Sequence, residues 1–194
     1  QLIADLFGIP VDPTSLTAAA FSLTAAGLAS GAQPITHRLH GQLDRSGTDT
    51  FLPNDTIENT IYSFSVPGGA LGTAGGLRFT AWFLRTAGTG TTVTYRMKYG
   101  GTTLATITPA ILAVDDDIRH LFTGYVTSNN ATNAQRGFLR LTGLHIATET
   151  LITAAGTAIV DSTASQTFVF TAQATVAPGA SLYGMHYALL EYFP

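Results

Sequence analysis

The chain has 194 residues, of which 45 % are apolar and only 11 % are charged, and its formal net charge is -3. It contains no cysteine, which excludes disulfide frameworks and thiolate metal sites, and no run of Lys and Arg that would give the basic surface of a nucleic-acid-binding protein. Soluble domains usually carry about a quarter charged residues, so much of this surface must be uncharged or covered by other protein.

An N-terminal arm over residues 1–34 and a β domain over residues 35–194 are the two predicted parts of the chain. Between residues 11 and 35 the only charge is Asp12. This stretch is interrupted by Thr, Ser, Gly and Pro, and it never reaches the roughly 18 consecutive apolar residues of a membrane span. We therefore expect neither a membrane nor nucleic acid as a partner.

The arm contains a short repeated motif. The pentapeptide Ser-Leu-Thr-Ala-Ala begins at Ser15 and again at Ser22, which places Leu16 and Leu23 at equivalent positions of a short predicted helix. One interpretation is a low-complexity tail. The other is an arm that packs on a neighbouring subunit, and the low charge favours it because solvated tails are usually charged. In that interpretation the docking residues are Leu16, Phe21 and Leu23.

From residue 35 onward, strand patterns alternate with turn residues. Threonine is the commonest polar residue, and β-branched side chains suit a pleated, half-buried surface. Ten short strands without an intervening helical pattern predict an all-β protein, either a sandwich or a barrel. The predicted strands cover residues 36–42, 60–66, 77–85, 91–99, 102–108, 118–126, 137–147, 158–161, 166–176 and 182–193.

The clearest of these strands is followed by a hairpin signal. Residues from Val93 to Tyr99 alternate apolar and polar, which predicts one buried and one wet face. Gly100 and Gly101 then connect to the next strand as a two-residue turn of the primed type.

The final predicted strand has no polar face. An antiparallel strand in an isolated sandwich has one solvated side, so we expect this strand to be covered on its second side by another chain or by the arm. Tyr and Phe are typical of interface cores. One side is predicted to carry Leu182, His186, Ala188, Leu190 and Tyr192, and the other Tyr183, Met185, Tyr187, Leu189 and Phe193. The predicted subunit contacts are Tyr183, Met185, Tyr187 and Leu189.

A glycine-rich stretch precedes the apolar strand at residues 77–85. A dinucleotide-binding loop needs Gly-x-Gly-x-x-Gly between a strand and a helix, but the glycines at 69, 72, 75 and 76 are spaced differently and a strand pattern follows. The stretch is therefore predicted to be a corner in which Pro67 ends one strand and glycine supplies positive φ. No cofactor is expected.

Two segments resemble proteins of tailed-bacteriophage virions. They are YSFSVPGGALGTAGGLRFT at residues 62–80 and TYRMKYGGTTL at residues 94–104. The resemblance covers residues 62–108 and the aromatic C-terminal strand, and the arm lies outside it. It implies a small jelly-roll-like antiparallel β-sandwich, often trimeric, that serves as a capsid decoration or cement protein or as the tip of a tail fibre.

The function expected from this resemblance is structural and not enzymatic. We expect a homotrimeric capsid decoration or cement protein on the surface of the phage particle, which stabilises the head by bridging the major capsid protein or other virion proteins. The alternative is a tail-fibre tip, a receptor-binding protein that recognises a glycan on the host. An enzyme that degrades sugar polymers would need two carboxyl groups about 5 to 10 Å apart in a cleft, and the sequence identifies no such pair.

Possible metal ligands occur in unsuitable patterns. The three aspartates at 115–117, with His120 nearby, lack the spacing and the glycine of a calcium loop, and we interpret them as a solvated acidic turn. His37 and His40 are three residues apart on a predicted strand, which directs them to opposite faces. No metal is therefore expected.

Trp82 is the single tryptophan of the chain. It adjoins Phe83 in a strand that is apolar on both sides, which predicts a position in the core or in an interface. The alternative is a side chain that stacks on a sugar ring, because an indole offers a large flat apolar surface.

Overall fold

The computed structural model describes residues 41–85, 92–109, 118–144, 149–177 and 183–193. All of them belong to the second of two compact units, Gln1–His37 and Arg38–Pro194. The predicted arm, with Leu16, Phe21 and Leu23, lies outside the described residues, as do His37, His40, Leu182 and the acidic run at 115–117. The arm and its boundary therefore stay predictions.

The described residues form strands and contain no helix; accordingly, they include no helix with the length and hydrophobicity of a membrane span. The strands are β1 (Gly41–Ser46), β2 (Thr50–Phe51), β3 (Asn59–Val66), β4 (Gly76–Arg85), β5 (Val93–Tyr99), β6 (Thr102–Ile107), β7 (Ile118–Ser128), β8 (Gln135–Leu144), β9 (Glu149–Ala158), β10 (Gln166–Ala174) and β11 (Tyr183–Phe193).

These strands build two antiparallel sheets. The larger sheet has seven strands in the order β1-β11-β4-β7-β8-β9, with β2 also paired to β11, and the smaller sheet has four in the order β3-β10-β5-β6. Without β2 and the β8–β9 hairpin, two four-stranded sheets remain, β1-β11-β4-β7 and β3-β10-β5-β6, which is the strand order of a jelly roll. The predicted all-β, jelly-roll-like sandwich is confirmed.

The core between the two sheets is aromatic. Phe79 of β4 lies 5.0 Å from Phe168 and 5.1 Å from Phe170 of β10, measured between ring centroids. Tyr95 of β5 and Phe122 of β7 approach to 4.6 Å. All five side chains are at most 1 % exposed, and such ring pairs stabilise a core by about 0.5–1.5 kcal/mol each beyond the burial of their area.

The predicted hairpin turn after β5 and the predicted glycine corner before β4 are confirmed. Gly100 and Gly101 have φ values of 54° and 78°, the positive values that a type I′ hairpin turn requires at both central positions, and they join β5 to β6. In the corner before β4, Gly69 and Gly72 have φ values of 76° and 54°.

Three strand predictions need correction. The strand predicted at 158–161 is wrong, because only Ala158 belongs to a strand, as the last residue of β9. The rest of β9, residues 149–157, was not predicted as a strand. The two-residue strand β2 was not predicted from the sequence. Of the strand predicted at 36–42, only Gly41 and Gln42 are described, and both belong to β1.

Candidate binding face

The two outer faces of the sandwich differ in chemistry. The smaller sheet presents mainly hydroxyl-bearing side chains, and its charges satisfy one another. Glu58 accepts a hydrogen bond of 2.6 Å from Thr171 and forms ion pairs with Lys98 at 2.6 Å and Arg96 at 3.5 Å. The outward side chains of its strands include Ser63, Ser65, Lys98, Thr103, Thr106, Thr167, Val169 and Thr171.

The larger sheet presents a row across five neighbouring strands in which four of the five side chains are apolar or aromatic and the fifth is Thr142. Its members occupy register positions that face one another: Tyr187 pairs with Trp82, Trp82 with Leu121, Leu121 with Thr142, and Thr142 with Leu151. We call these five residues the central row. Trp82 is 46 % exposed and Leu151 is 60 % exposed. The predicted core position of Trp82 is therefore wrong, and the interface and the sugar ring remain as its possible contacts.

A β-bulge in β11 divides the four predicted subunit contacts. The register with β4 shifts between Met185 and Tyr187, so the residues before and after His186 alternate in opposite senses. Tyr183 and Met185 face the core and are 2 % and 1 % exposed. Tyr187 and Leu189 lie on the outer face and are partly buried.

The prediction that these four residues share one face is therefore wrong. The physical reason is the single extra residue of the bulge, which reverses the alternation. Contact of Tyr187 and Leu189 with another subunit stays a prediction.

Charged and polar side chains lie beside one end of the central row. The guanidinium of Arg45 lies 5.5 Å from the centroid of the Tyr187 ring, a cation–π distance. At the bulge, the Nδ1 atom of His186 lies 2.8 Å from a carboxylate oxygen of Asp49, and its ring meets Phe51 edge to face at 6.1 Å.

A second group of aromatic side chains lies farther along the same face. The ring centroids of Tyr125 and Phe138 are 6.4 Å apart, and those of Tyr125 and Phe193 are 6.2 Å apart. We call these three residues the aromatic cluster; its Phe138 is 37 % exposed. Tyr125 is four residues from Leu121 along β7, so the cluster and the central row are roughly 13 Å apart.

The strip between these two groups is polar except at Leu189, its member in β11. Thr80, Thr123, Arg140 and Thr153 are register partners across four strands, and Arg45 lies beyond them at the edge, opposite Leu189. The face therefore carries two aromatic zones separated by hydroxyl groups and guanidinium groups.

The positive charge of this face comes from residues that are far apart in the sequence. Arg78 is paired with Glu191 at 2.6 Å. Among the described residues, Arg136 and Arg140 form no ion pair with a carboxylate. Two acidic residues occupy outward register positions on the strands of this sheet, Glu191 of β11 and Glu149 at the start of β9. The outward arginines are Arg45, Arg78, Arg119, Arg136 and Arg140.

The candidates for catalysis or metal binding are not assembled on this face. His120 is 7 % exposed and lies in the core, 6.1 Å from the rings of Tyr95 and Phe122. In the part of the chain that the structure describes, no three His, Asp or Glu side chains converge as metal ligands. What the outer face offers is flat apolar surface with hydrogen-bond donors beside it, a combination suited to binding.

No protein-family model matches the chain, and no curated protein matches it in sequence. Among solved structures, the CBM2 module of the evolved Dit of Lactobacillus casei BL23 phage J-1 is similar over 66 % of this chain and 67 % of its own, with 9 % identity and a TM-score of 0.37. The C-terminal domain of EclA, described as a sugar-binding protein, is similar over 82 % of this chain and 87 % of its own, with 14 % identity and a TM-score of 0.35. Both TM-scores are below 0.5, so neither protein's ligand transfers to this chain.

Proposed function

We propose that this protein is a non-enzymatic component of a phage particle that binds a host-surface glycan through the outer face of its larger sheet. The virion assignment rests on the sequence resemblance over residues 62–108. The observation that carries the glycan assignment is the position of Trp82, which is 46 % exposed at the middle of a sheet, beside hydroxyl and guanidinium donors.

The chemistry of the face suits a sugar. A pyranose ring has an apolar face of C–H groups that stacks on an indole or phenol ring, and a rim of hydroxyl groups that needs hydrogen-bond partners. Trp82 and Tyr187 provide adjacent aromatic surface, and Thr80 and Arg140 lie in the next row. Apolar contact surface with a few directed polar groups is the usual composition of a small-ligand site.

The position of Trp82 also provides the test. Because it is the only tryptophan, its fluorescence reports this face alone. We expect binding of a glycan to shift its emission to shorter wavelength as the ring loses water. Binding is measured on an array of bacterial surface polysaccharides, with Trp82→Ala as the site variant and Val169→Ala, on the opposite face, as the control.

A loss of binding in Trp82→Ala, with Val169→Ala unchanged, supports the proposal. Absence of binding to every polysaccharide of the array, or equal binding by Trp82→Ala, overturns it.

The second candidate is a homotrimeric capsid decoration protein, as expected from the sequence. The observation that favours it is the composition of the outer face. Trp, Tyr, Phe and Arg are enriched in the cores of protein interfaces, whereas Lys and Asp are depleted, and the described outward side chains on the strands of the larger sheet include no Lys and no Asp. Tyr187 and Leu189 would be central to such a contact.

The fluorescence of Trp82 also distinguishes the two candidate functions, glycan binding and capsid decoration. If the face is a subunit contact, dilution of the purified protein dissociates it, and the emission of Trp82 moves to longer wavelength together with a fall in sedimentation coefficient. A capsid decoration protein also raises the melting temperature of capsids to which it binds. The glycan proposal requires neither effect.

A further inference from the structure

The arginines of the outer face specify the kind of glycan, if the proposed function is correct. We infer that the ligand is an acidic polysaccharide whose sugar carboxylates pair with Arg136 and Arg140. This inference rests on the proposed glycan binding and adds its chemical class.

The first argument is the charge distribution. The whole chain has a formal net charge of -3, yet the outward register positions on the strands of the larger sheet hold five arginines and only two glutamates, Glu149 and Glu191. Arg78 is neutralised by Glu191, and Arg45 lies against the ring of Tyr187. Arg136 and Arg140 are exposed and have no carboxylate partner among the described residues.

The second argument is the position of these two arginines beside an exposed ring. Arg136, Phe138 and Arg140 are successive outward residues of β8, each roughly 7 Å from the next along the strand. Phe138 is 37 % exposed and lies beside Tyr125. A sugar ring stacked on Phe138 therefore has a guanidinium within reach on either side.

The third argument is the geometry of the donor. A guanidinium is planar and presents parallel N–H groups that bind a carboxylate in bidentate fashion. In a uronic acid the carboxylate is attached directly to the sugar ring, so that stacking and ion pairing can occur together. Thr123 and Thr153 are the register partners of Arg140 on either side. Their hydroxyl groups are available for hydrogen bonds with the neutral parts of the polymer.

A nucleic acid is the other polyanion that aromatic and arginine side chains bind. It needs a basic surface that follows a continuous phosphate backbone. Arg136 and Arg140, which have no carboxylate partner among the described residues, flank one ring, and the protein as a whole is acidic. The observations therefore favour a carboxylate attached to a sugar.

The experiment compares acidic bacterial polysaccharides with the same polymers after chemical reduction of their carboxyl groups to alcohols. The proteins are the wild type, the double variant Arg136→Gln/Arg140→Gln, and Lys98→Gln as a control that removes one charge from the opposite face. Thermal unfolding of each variant establishes that it is folded. Binding is measured at about 50 mM and about 500 mM salt, which shortens the screening length from about 14 Å to about 4 Å.

We expect the wild type and Lys98→Gln to bind one or more acidic polymers about tenfold more tightly than the reduced forms. The double variant should lose this preference while it keeps its weaker binding of the reduced forms, and high salt should have the same effect. The magnitude follows from two exposed ion pairs.

Equal binding of acidic and reduced polymers by the wild type overturns the inference and leaves the proposed function in place. Tighter binding of a single-stranded oligothymidylate than of any acidic polymer, with loss in the double variant, also overturns it. Absence of binding to all of the polymers overturns the proposed function and the inference with it.

Discussion

Trp82 and Tyr187 are register partners across β4 and β11, and Tyr187 shares the outer face with Trp82 because the register of β11 shifts by one residue at His186. Without that bulge, Tyr187 would follow the alternation set by Met185 and would face the other side of the sheet. A single strand therefore supplies core side chains before the bulge and outer-face side chains after it. The aromatic surface around Trp82 depends on this local irregularity.

Because of the bulge, two substitutions in the same strand should lower the free energy of unfolding by different amounts. Met185 is 1 % exposed, so Met185→Ala should lower the free energy of unfolding by about 2–5 kcal/mol through lost burial and a cavity. Leu189 is partly buried on the outer face, so Leu189→Ala should cost less than about 1 kcal/mol. Urea denaturation of both variants measures the difference, and equal losses would contradict the assigned register.

Two inward glycines of the larger sheet make a matched pair for a second prediction. A Cβ atom at Gly156 would collide with the backbone carbonyl oxygen of Leu104 in β6, which side-chain rotation cannot relieve. A Cβ atom at Gly124 would lie 2.7 Å from the Sδ atom of Met97, near the end of a flexible side chain. Gly156→Ala should therefore destabilise the protein by about 1–3 kcal/mol or more, and Gly124→Ala by clearly less.

Thermal unfolding of the two glycine variants provides the comparison. Ala155→Ser, at the neighbouring outward position of β9, is the control for a change on that strand. A Gly156→Ala variant as stable as Gly124→Ala would mean that the smaller and larger sheets are farther apart at this point.

Much of the fold could be predicted from the sequence, because alternation and turn residues are local signals. The strand from Val93 to Tyr99 and the turn at Gly100 and Gly101 are examples in which both signals agree. Strand β9 was missed because its small residues, Thr-Ala-Ala-Gly-Thr-Ala at its end, carry little hydrophobic contrast. A bulge leaves no mark in a strand such as β11, whose two faces are both apolar.

The binding face could not be predicted, because it is assembled by register between distant strands. Arg45, Arg78, Arg119, Arg136 and Arg140 are isolated in the sequence and show no basic run. Trp82 was identified as a candidate, but its exposure depends on which side of β4 faces β10. Only strand order and register place these residues on one surface.

Acid should weaken the charged cluster on the smaller sheet. Partial burial acts to raise the pKa of Glu58, but the hydrogen bonds and charges of Lys98, Thr171 and Arg96 outweigh it, so the pKa is lowered. The charged form is therefore favoured in the folded state, which adds stability above the ordinary glutamate pKa of about 4.3. This contribution is lost as the pH falls through the lower, folded-state pKa.

The variant Glu58→Gln tests whether the charged carboxylate of Glu58 stabilises the folded state. At pH 7 it should reduce the free energy of unfolding by about 1 kcal/mol, because the ion pair with Lys98 is only partly exposed. The difference from the wild type should shrink as the pH is lowered below about 4. A difference that stays constant over this range would show that the carboxylate charge contributes nothing.

High pH should destabilise the folded protein through two buried tyrosines of the smaller sheet. Burial, together with a 2.7 Å hydrogen bond donated to Asp44 of β1, raises the pKa of Tyr62 well above its ordinary value. Burial raises the pKa of Tyr99 to about 12. In the unfolded chain these phenols lose their protons near pH 10, whereas in the folded protein they stay protonated. Their contribution is therefore complete below about pH 10 and declines as the pH rises through the folded-state values.

The variant Tyr99→Phe isolates one of these two groups. It should leave the stability near pH 7 almost unchanged, while between about pH 10 and pH 12 the wild type should lose up to about 1.4 kcal/mol per pH unit more than the variant. Urea denaturation at several pH values measures the two slopes. Parallel curves would mean that the Tyr99 hydroxyl is solvated in the folded protein, and they would contradict the burial of this residue between β10 and β6 of the smaller sheet, at 1 % exposure.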